Sequence, residues 1–507
     1  MTTVVVIAIY LGLLLALALF SKTLFRGTSK DYFVASHSIG PFMLLMSVFG
    51  TTMTAFALVG STGKAFERGI GTYGLMASSS GLIHAACFLL IGIKLWAIGK
   101  RYGYVTQIQY FRARFETKAF GYLLFPILVL LVIPYLLIGI IGAGKTIAGV
   151  TGAKLKPNGD VIAPGVFPEW TDNGAIPPWF TGLVISAVVL TYIFAGGSRA
   201  AAWANTFQTL VFMVMGILAF YLISDRLGGL EDAIDKAKDT HTVRTLSEGG
   251  EVGTSKWTFF SYMFIPLSVG MFPHLFQHWL TAKSAKSFKL TVVAHPICIM
   301  IVWVPCVLIG TWATGLFPSD IPSGAILAKT VGKLVGNPII VGLVTAGILA
   351  AIMSSLDSQF LCLGTMFTND IVLHRAKKKY TDKQTLFMAR SFIVAIVLIT
   401  YVCALLLYEK SVFDLAIWCF SGFAALTPLV IAALYWKRAT KMGAYACVIA
   451  VTLSWLTFFA MSGFGGEYFV LGGIVPAAIM WLIGAAAMII GSLLSSPPSE
   501  KTLAKFF

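Results

Sequence analysis

Four polar side chains stand together in a segment of the chain that is otherwise strongly apolar. The run AIMSSLDS begins at Ala351 and lies in the middle of residues 338–371, which contain no Lys or Arg. In a helix at about 100° per residue, four residues of this run share one face: Ala351, Ser354, Ser355 and Ser358. Hard cations prefer oxygen ligands such as hydroxyls, carbonyls and carboxylates. The spacing therefore predicts an ion site, with Asp357 on its flank beside Ser354.

Asp357 is the one acidic residue, of 21 in the chain, that lies near the middle of an apolar segment. An ionised carboxylate at such a depth costs about 3 kcal/mol or more, so it is by default functional and paired with a cation, a proton or a polar partner. A neutral, hydrogen-bonded carboxyl that only helps helices to pack is the alternative. His84 also lies in a deeply apolar segment. The favoured interpretation is a neutral histidine that forms a hydrogen bond to a neighbouring helix, and the alternative is a ligand of the solute. His274, His278 and His295 lie nearer the inner ends of their segments and carry less information.

The composition is that of a polytopic membrane protein. The chain has 507 residues, of which 58% are hydrophobic and 11% charged, whereas soluble domains carry about 25% charged residues. The net charge of +16 does not indicate nucleic-acid binding, because the basic residues lie in short loops between apolar segments, which is the positive-inside pattern. The seven cysteines lie inside apolar segments without metal-ligand spacing, so neither a disulfide framework nor a metal site is expected.

The polar breaks divide the sequence into about thirteen segments, each near the roughly 20 residues that a bilayer requires. These segments are 3–21, 40–63, 73–98, 119–149, 179–195, 203–224, 257–280, 288–313, 338–371, 386–408, 412–436, 442–462 and 468–494. Every second loop is rich in Lys and Arg, which predicts an outer N-terminus and a cytoplasmic C-terminus in the plasma (inner) membrane. The first segment has basic residues after it and none before it, so we expect a retained helix rather than a cleaved signal peptide.

Two of the predicted outer loops are longer than a connection requires. They are 154–178, rich in Pro, Gly and Asp, and 225–255, which contains the short amphipathic stretch LEDAIDKAK. A long loop can cap an external vestibule or can be a tolerated surface insertion, and the second interpretation is favoured.

Two of the segments are predicted to break within the membrane. The first, Ser47–Gly63, combines Gly50, Gly60 and Gly63 with Thr51, Thr52 and Thr54, and the second contains Pro266, Gly270 and Pro273. Proline removes a backbone donor where no water can replace it. If the helix 3–21 is set aside, the broken helices open two five-helix sets, 40–224 and 257–436, followed by two C-terminal helices in 442–494. Broken helices at matching positions of two halves indicate an inverted-repeat transporter whose site lies at the membrane midplane.

At these residues the chain resembles the sodium/solute symporter family, which includes sodium-coupled sugar, proline, pantothenate and sialic acid carriers. The resemblance extends from Asp31 to Ala444. Its most specific parts are GGSRAAAWANTFQ at 196–208, with paired glycines, a Trp and a Gln, and AAIMSSLDSQF at 350–360. It implies an all-α membrane protein with the leucine-transporter-type inverted repeat of two five-helix units, forming a single transmembrane transporter domain over 1–507.

The resemblance implies a principal sodium site between the first broken helix and the eighth core helix. Its ligands would be three backbone carbonyls and two hydroxyls, namely Gly50, Met53, Ala351, Ser354 and Ser355. Many members carry Asp where this chain has Asn205, an acid linked in some relatives to a second sodium. Here the acid is Asp357, so the sequence predicts one sodium site and a second candidate ion site formed by Asp357, Ser358 and Asn205.

The resemblance places the solute beside the two broken helices. The side chains available there are Thr52, Thr54, Phe56 and Ala57 on one side, and Tyr262, Ser268 and Phe272 on the other. Ala57 stands where a sugar carrier has a hydrogen-bonding Gln, and buried sugar hydroxyls need many polar partners. A small, partly apolar solute such as a monocarboxylate or an amino acid is therefore favoured over a sugar.

The predicted function is sodium-coupled secondary active symport of a small organic solute by alternating access, with the solute, sodium and the lipid bilayer as partners. A proton-coupled symporter or a uniporter that uses Asp357 is the nearest alternative, and a transporter-like solute sensor is a more distant one. An enzyme is not expected, because no constellation of nucleophile, base or metal ligands occurs. Neither nucleic acid nor an obligate protein partner is expected.

Overall fold

The computed structural model describes residues 1–507 except 24, 26, 156–160, 238–253 and 377–378. Parts of both long loops, 154–178 and 225–255, therefore lie outside the described residues. In chain order the helices are α1 (Thr2–Thr23), α2 (Ser29–Val34), α3 (Pro41–Thr52), α4 (Ser61–Arg68), α5 (Thr72–Cys87), α6 (Ile93–Tyr102), α7 (Gln107–Arg114), α8 (Phe120–Thr151), α9 (Pro178–Leu227), α10 (Leu230–Asp235), α11 (Lys256–Tyr262), α12 (Pro273–Thr281), α13 (Phe288–Ala313), α14 (Ile326–Leu334), α15 (Pro338–Met366), α16 (Leu373–Arg375), α17 (Asp382–Leu406), α18 (Val412–Ala425), α19 (Thr427–Tyr435), α20 (Lys441–Met461), α21 (Pro476–Leu493) and α22 (Glu500–Phe506). Two short strands, β1 (Lys154–Leu155) and β2 (Val161–Ala163), pair antiparallel.

The described residues contain ten helices that are long and apolar enough to cross a membrane, and twelve such spans if two bent helix pairs are included. Helix α9 has 50 residues, which at about 1.5 Å per residue is roughly 75 Å and far exceeds one bilayer. It bends at Gly197, whose φ of 54° and ψ of −135° are not helical and are accessible essentially only to glycine. Counting its two halves separately gives thirteen spans, in agreement with the segments in the sequence.

Both predicted helix breaks are present. Helix α3 ends at Thr52, and the chain continues through a π-helical turn, Phe56–Gly60, into α4 with a bend of 53°. The second pair bends by 48° between the 3-10 turn Ile265–Gly270 and α12. Phe272 at this break is extended, because the residue before a proline avoids the helical region. These breaks free backbone groups in the middle of the bundle.

Helix α15 lies at the centre of the bundle. All its residues from Val344 to Met366 are buried, and it packs against α9, α8, α3 and α1. The helix α1 contacts the bundle through a stripe of buried side chains at helical spacing, which are Ile7, Tyr10 and Leu14. Polar groups on α15 must therefore find their partners within the protein. The predicted repeat boundaries, 40–224 and 257–436, stay predictions.

Candidate functional site

The principal predicted ion site is partly assembled in the structure. The Ser354 hydroxyl on α15 donates to the Gly50 carbonyl on α3 at 2.6 Å and to the Ala351 carbonyl at 3.0 Å. Gly50 also permits the close approach of α9, because a Cβ there would clash with Thr209 Oγ1. Three of the five predicted sodium ligands are thus in contact, across the gap between the first broken helix and α15.

The other two predicted ligands, Met53 and Ser355, take no part in this contact and make hydrogen bonds within their own helices. The Ser355 hydroxyl donates to the Ile352 carbonyl of its own helix at 2.9 Å. Met53 is fully buried at the end of α3, and its N–H donates to the Phe49 carbonyl at 2.9 Å. Its φ of −91° and ψ of 88° take the chain out of the helix. The roles of Met53 and Ser355 stay predictions.

A second polar cluster surrounds Asp357 one turn further along α15. The Ser358 hydroxyl lies 3.0 Å from Asp357 Oδ1. With the Asn205 amide oriented by its hydrogen-bond partners, its nitrogen donates to both carboxylate oxygens, Oδ1 at 3.1 Å and Oδ2 at 3.0 Å, and its oxygen accepts from Ser358 Oγ at 3.0 Å. All three residues are buried. The structure therefore brings together the three residues of the predicted second ion site.

Two residues of this cluster were not predicted from the sequence. Thr51 Oγ1 lies 2.9 Å from Ser358 Oγ and 3.2 Å from His278 Nε2, and His278 Nε2 lies 2.9 Å from Ser358 Oγ. The cluster thus joins both broken helices to α9 and α15. The sequence placed His278 in the second broken helix but gave no signal that it faces Ser358, since 80 residues separate them.

A cavity of about 410 Å³ lies between the two broken helices. Five of the predicted solute residues line it, namely Thr52, Phe56, Tyr262, Ser268 and Phe272. The other two do not: Thr54 accepts a hydrogen bond from the Phe56 N–H at 3.0 Å, and Ala57 is fully buried in the π-helical turn. The break after Thr52 thus turns Phe56 toward the cavity and its neighbours away from it.

The surface of the cavity is largely apolar, although seven of its fourteen described lining residues carry a side-chain nitrogen or oxygen. Tyr262 Oη, His84 Nδ1 and Trp303 Nε1 belong to lining residues and are buried without a hydrogen-bond partner among the described residues. Thr52 Oγ1 already bonds to the Phe49 carbonyl at 2.9 Å and lies 3.1 Å from His295 Nε2. No Arg, Lys, Asp or Glu is among the described residues that line this cavity. His84, which the sequence favoured as a packing residue, is therefore a candidate solute contact.

Two discontinuous helices with buried polar groups and a cavity between them are the architecture of a secondary active transporter of the leucine-transporter type. The model of the sodium:solute symporter family matches residues 32–158 and 179–450. The chain belongs to that family, so the family and fold predictions are confirmed.

Relatives and solved structures agree with this assignment. The chain is 25% identical to the sodium/proline symporter of Escherichia coli (strain K12), covering 94% of this chain and 90% of that one. It is 24% identical to an osmoregulated proline transporter of Bacillus subtilis (strain 168), covering 94% of both chains, and 24% identical to the Escherichia coli (strain K12) sodium/pantothenate symporter, covering 94% and 92%.

A Na+-coupled sialic acid symporter, solved in a substrate-bound outward-open state, superposes with a TM-score of 0.76, 18% identity and 99% coverage of both chains. A nucleobase–cation symport transporter in a closed conformation gives a TM-score of 0.52 at 15% identity, covering 93% of this chain and 97% of that one. The protein is a multi-pass membrane protein that carries out sodium-coupled symport, and sodium is its coupling ion.

A cluster of five charged side chains lies at the predicted outer end of the first broken helix. Lys64 Nζ is 2.9 Å from Glu467 Oε1, 3.5 Å from Glu67 Oε2 and 3.7 Å from Asp414 Oδ1, and Arg68 Nη2 is 2.6 Å from Glu467 Oε2. Lys64, Asp414 and Glu467 line a second cavity of about 480 Å³ that shares Tyr262 with the cavity between the broken helices. Residues 466–469, which follow α20, also line this second cavity, whereas none of the described residues of loops 154–178 and 225–255 does.

We expect Glu467→Gln to destabilise the protein by about 1–2 kcal/mol near neutral pH. Burial by itself raises the pKa of Glu467, but the nearby Lys64 and Arg68 outweigh it, so the pKa lies below the usual glutamate value. A lowered pKa contributes stability above the unfolded-state value, and this contribution is lost as the pH falls through the folded-state value.

Thermal unfolding of the wild type and of Glu467→Gln across a pH series measures this effect. The difference in Tm should be largest near neutral pH and vanish in acid. The exposed Glu231 of α10 provides the control, because Glu231→Gln should leave Tm unchanged. A Tm difference for Glu467→Gln that is constant with pH would contradict the ion-pair interpretation.

Proposed function

We propose that the protein imports a small monocarboxylate or amino-acid-like solute together with sodium, by alternating access. The observation that carries this proposal is the cavity of about 410 Å³ between the broken helices, which is largely apolar and offers few free polar atoms. A sugar ring presents many hydroxyls, and each one left without a partner on burial weakens binding. Ala57 does not line the cavity, so the preference for a small solute rests on the cavity surface and not on Ala57.

A carboxylate in this cavity needs a compensating positive field from elsewhere. The described lining residues include no Arg or Lys. Sodium at the neighbouring Gly50–Ser354 contact, or the N-terminal end of a broken helix, supplies such a field in transporters built this way. The solute carboxylate and the sodium ion would therefore bind together because their charges are opposite, as well as because they fit adjoining sites.

The residues proposed to hold the first sodium are Gly50, Met53, Ala351, Ser354 and Ser355. These ligands fit sodium, because all five are oxygens. Two are carbonyls of the interrupted helix, one is the Ala351 carbonyl of α15, and two are serine hydroxyls. In the structure the Ser354 hydroxyl donates to two of these carbonyls. In the ion-bound form the Ser354 oxygen instead faces the ion, and both carbonyls become ligands. The ion then joins α3 to α15 and favours the outward-facing state.

Asp357, Ser358 and Asn205 are proposed as a second ion site. The three contacts of the Asp357 carboxylate described above are all with the neutral residues Asn205 and Ser358, so a mobile cation or a proton would compensate a charge there. This observation keeps proton coupling as a second candidate function. Uptake measured under imposed sodium and proton gradients separates the two, since a proton-coupled carrier responds to the proton gradient without sodium.

The proposed topology places the N-terminus outside and the C-terminus in the cytoplasm of the plasma membrane. It treats 40–224 and 257–436 as the two repeats of one transporter domain. This orientation places Lys64 and Glu467 outside and makes the second cavity an entrance to the solute cavity.

Thermal stabilisation of the purified protein across a panel of solutes tests the proposed substrate class. Pyruvate, lactate, L-proline, pantothenate, sialic acid and glucose would be added in sodium and in potassium buffers. A ligand at 100 times its Kd stabilises the folded state by about 2.7 kcal/mol. We expect a small acid or amino acid to raise Tm in sodium only. Stabilisation by glucose or sialic acid alone would contradict the proposed class.

A further inference from the structure

A third cavity, of about 480 Å³, lies on the other side of the first broken helix from the solute cavity. It is bounded by the second half of α9, by α13 and by α15. Its lining includes Leu58, Gly216, Ile301, Cys306 and Ile348. None of the described residues that line it carries a nitrogen or oxygen in its side chain.

This cavity opens sideways from the helix bundle. At its rim Ile217 on α9 is 52% exposed and Ile301 on α13 is 38% exposed, whereas Leu58 and Ile348 at its floor are buried. An added Cβ at Gly216 would meet no atom within 4 Å. The rim residues lie in the middle parts of membrane-spanning helices, so the medium outside the opening is the hydrocarbon of the bilayer.

A single turn of the chain separates this cavity from the solute cavity. In the π-helical turn Phe56–Gly60, Phe56 lines the solute cavity and Leu58 lines the lateral one. Phe56 also packs against Phe413 and Phe420, each with ring centroids 5.0 Å away. Whatever fills the lateral cavity therefore contacts the first broken helix directly behind the proposed solute position.

We propose that the lateral cavity is a binding site for an acyl chain of a membrane phospholipid. Water is a poor occupant, because a buried water needs two to four polar partners. An empty space of this size leaves its walls without dispersion contacts, and the hydrocarbon at the opening supplies them. The bound chain packs against Leu58, supports the broken helix from the lipid side and makes solute binding sensitive to the acyl composition of the bilayer.

Photolabelling with a lipid probe tests this site. The full-length protein would be reconstituted in vesicles of phosphatidylethanolamine and phosphatidylglycerol, doped with a phosphatidylcholine that carries a diazirine within one acyl chain. After irradiation, mass spectrometry of peptides locates the adducts. We expect adducts on the buried walls around 302–309 of α13 and 344–348 of α15, in addition to those on lipid-facing ridges. Gly216→Phe fills the space and should reduce the wall adducts severalfold.

Gly12→Phe on α1 is the matched control, because an added Cβ at Gly12 also meets no atom within 4 Å and the residue is exposed. It should leave the wall adducts unchanged. The smaller Gly216→Leu gives the same test if Gly216→Phe does not elute as a single species. Adducts confined to exposed ridges, or wall adducts that persist in both Gly216 variants, would overturn the proposal. The labelling requires no transport, so its failure would leave the proposed function intact.

Discussion

Sodium-dependent uptake should be abolished when Ser354 and Ser355 are both replaced by alanine. The double variant removes two of the five proposed oxygen ligands. If each ligand contributes about 1.4 kcal/mol or more to ion binding, the apparent sodium affinity falls by at least about 100-fold. Ser354→Ala alone should already lower the apparent sodium affinity by at least about 10-fold, because its hydroxyl contacts Gly50 and Ala351. Initial uptake rates into vesicles against sodium concentration give the affinity.

Thr345 provides a matched control on the same helix. Its side chain is fully buried, and its hydroxyl donates to the Val341 carbonyl at 2.7 Å, much as Ser355 donates within α15. Thr345→Ala therefore removes a buried, helix-bonded hydroxyl away from the proposed ligands. Its sodium affinity should match the wild type. Sodium-dependent uptake that survives in Ser354→Ala plus Ser355→Ala would show that the ion binds elsewhere.

The second large effect is expected for Asp357. A carboxylate in the middle of a membrane span is expensive without a cation, by about 3 kcal/mol. Asp357→Asn should therefore leave the protein at least as stable as the wild type without sodium, while the increase in Tm on adding sodium becomes smaller. A residue that only helped α15 to pack would behave differently, because its loss would lower Tm equally with and without sodium.

A charge exchange sharpens this test. Asn205 Nδ2 lies within 3.1 Å of both Asp357 oxygens, so Asp357→Asn combined with Asn205→Asp moves the carboxylate by one hydrogen-bond length within the same cluster. We expect the double variant to recover much of the sodium-induced increase in Tm that Asp357→Asn loses. Failure of this rescue, together with uptake driven by a proton gradient in the wild type, would favour proton transfer at Asp357.

The local features of the site could be predicted from the sequence because they depend on neighbouring residues. Pro266, Gly270 and Pro273 together disfavour a regular helix through local backbone effects, and the break is found beside Pro273. Likewise, the 351, 354, 355 and 358 spacing fixes a common helix face before any tertiary contact forms. The family match over 32–158 and 179–450 confirms the class that these patterns indicated.

The remaining features depend on contacts between distant parts of the chain. Thr51 and Ser358 are 307 residues apart, and Arg68 and Glu467 are 399 apart, so no local pattern pairs them. The cavity between the broken helices shows a further limit of prediction from the sequence. Thr54 and Ala57 lie in the segment that borders this cavity, but the break and the π-helical turn after Thr52 rotate them away from it. Helical spacing alone does not anticipate this rotation.

Solute accumulation in proteoliposomes under imposed ion gradients tests the coupling most directly. The solute that gives the largest sodium-dependent increase in Tm would be supplied outside, with an inward gradient of sodium, potassium or protons in turn. We predict accumulation above the external concentration with the sodium gradient only, and its loss in Ser354→Ala plus Ser355→Ala. Equal accumulation without sodium, or under a proton gradient alone, would contradict sodium coupling through the contact between α3 and α15.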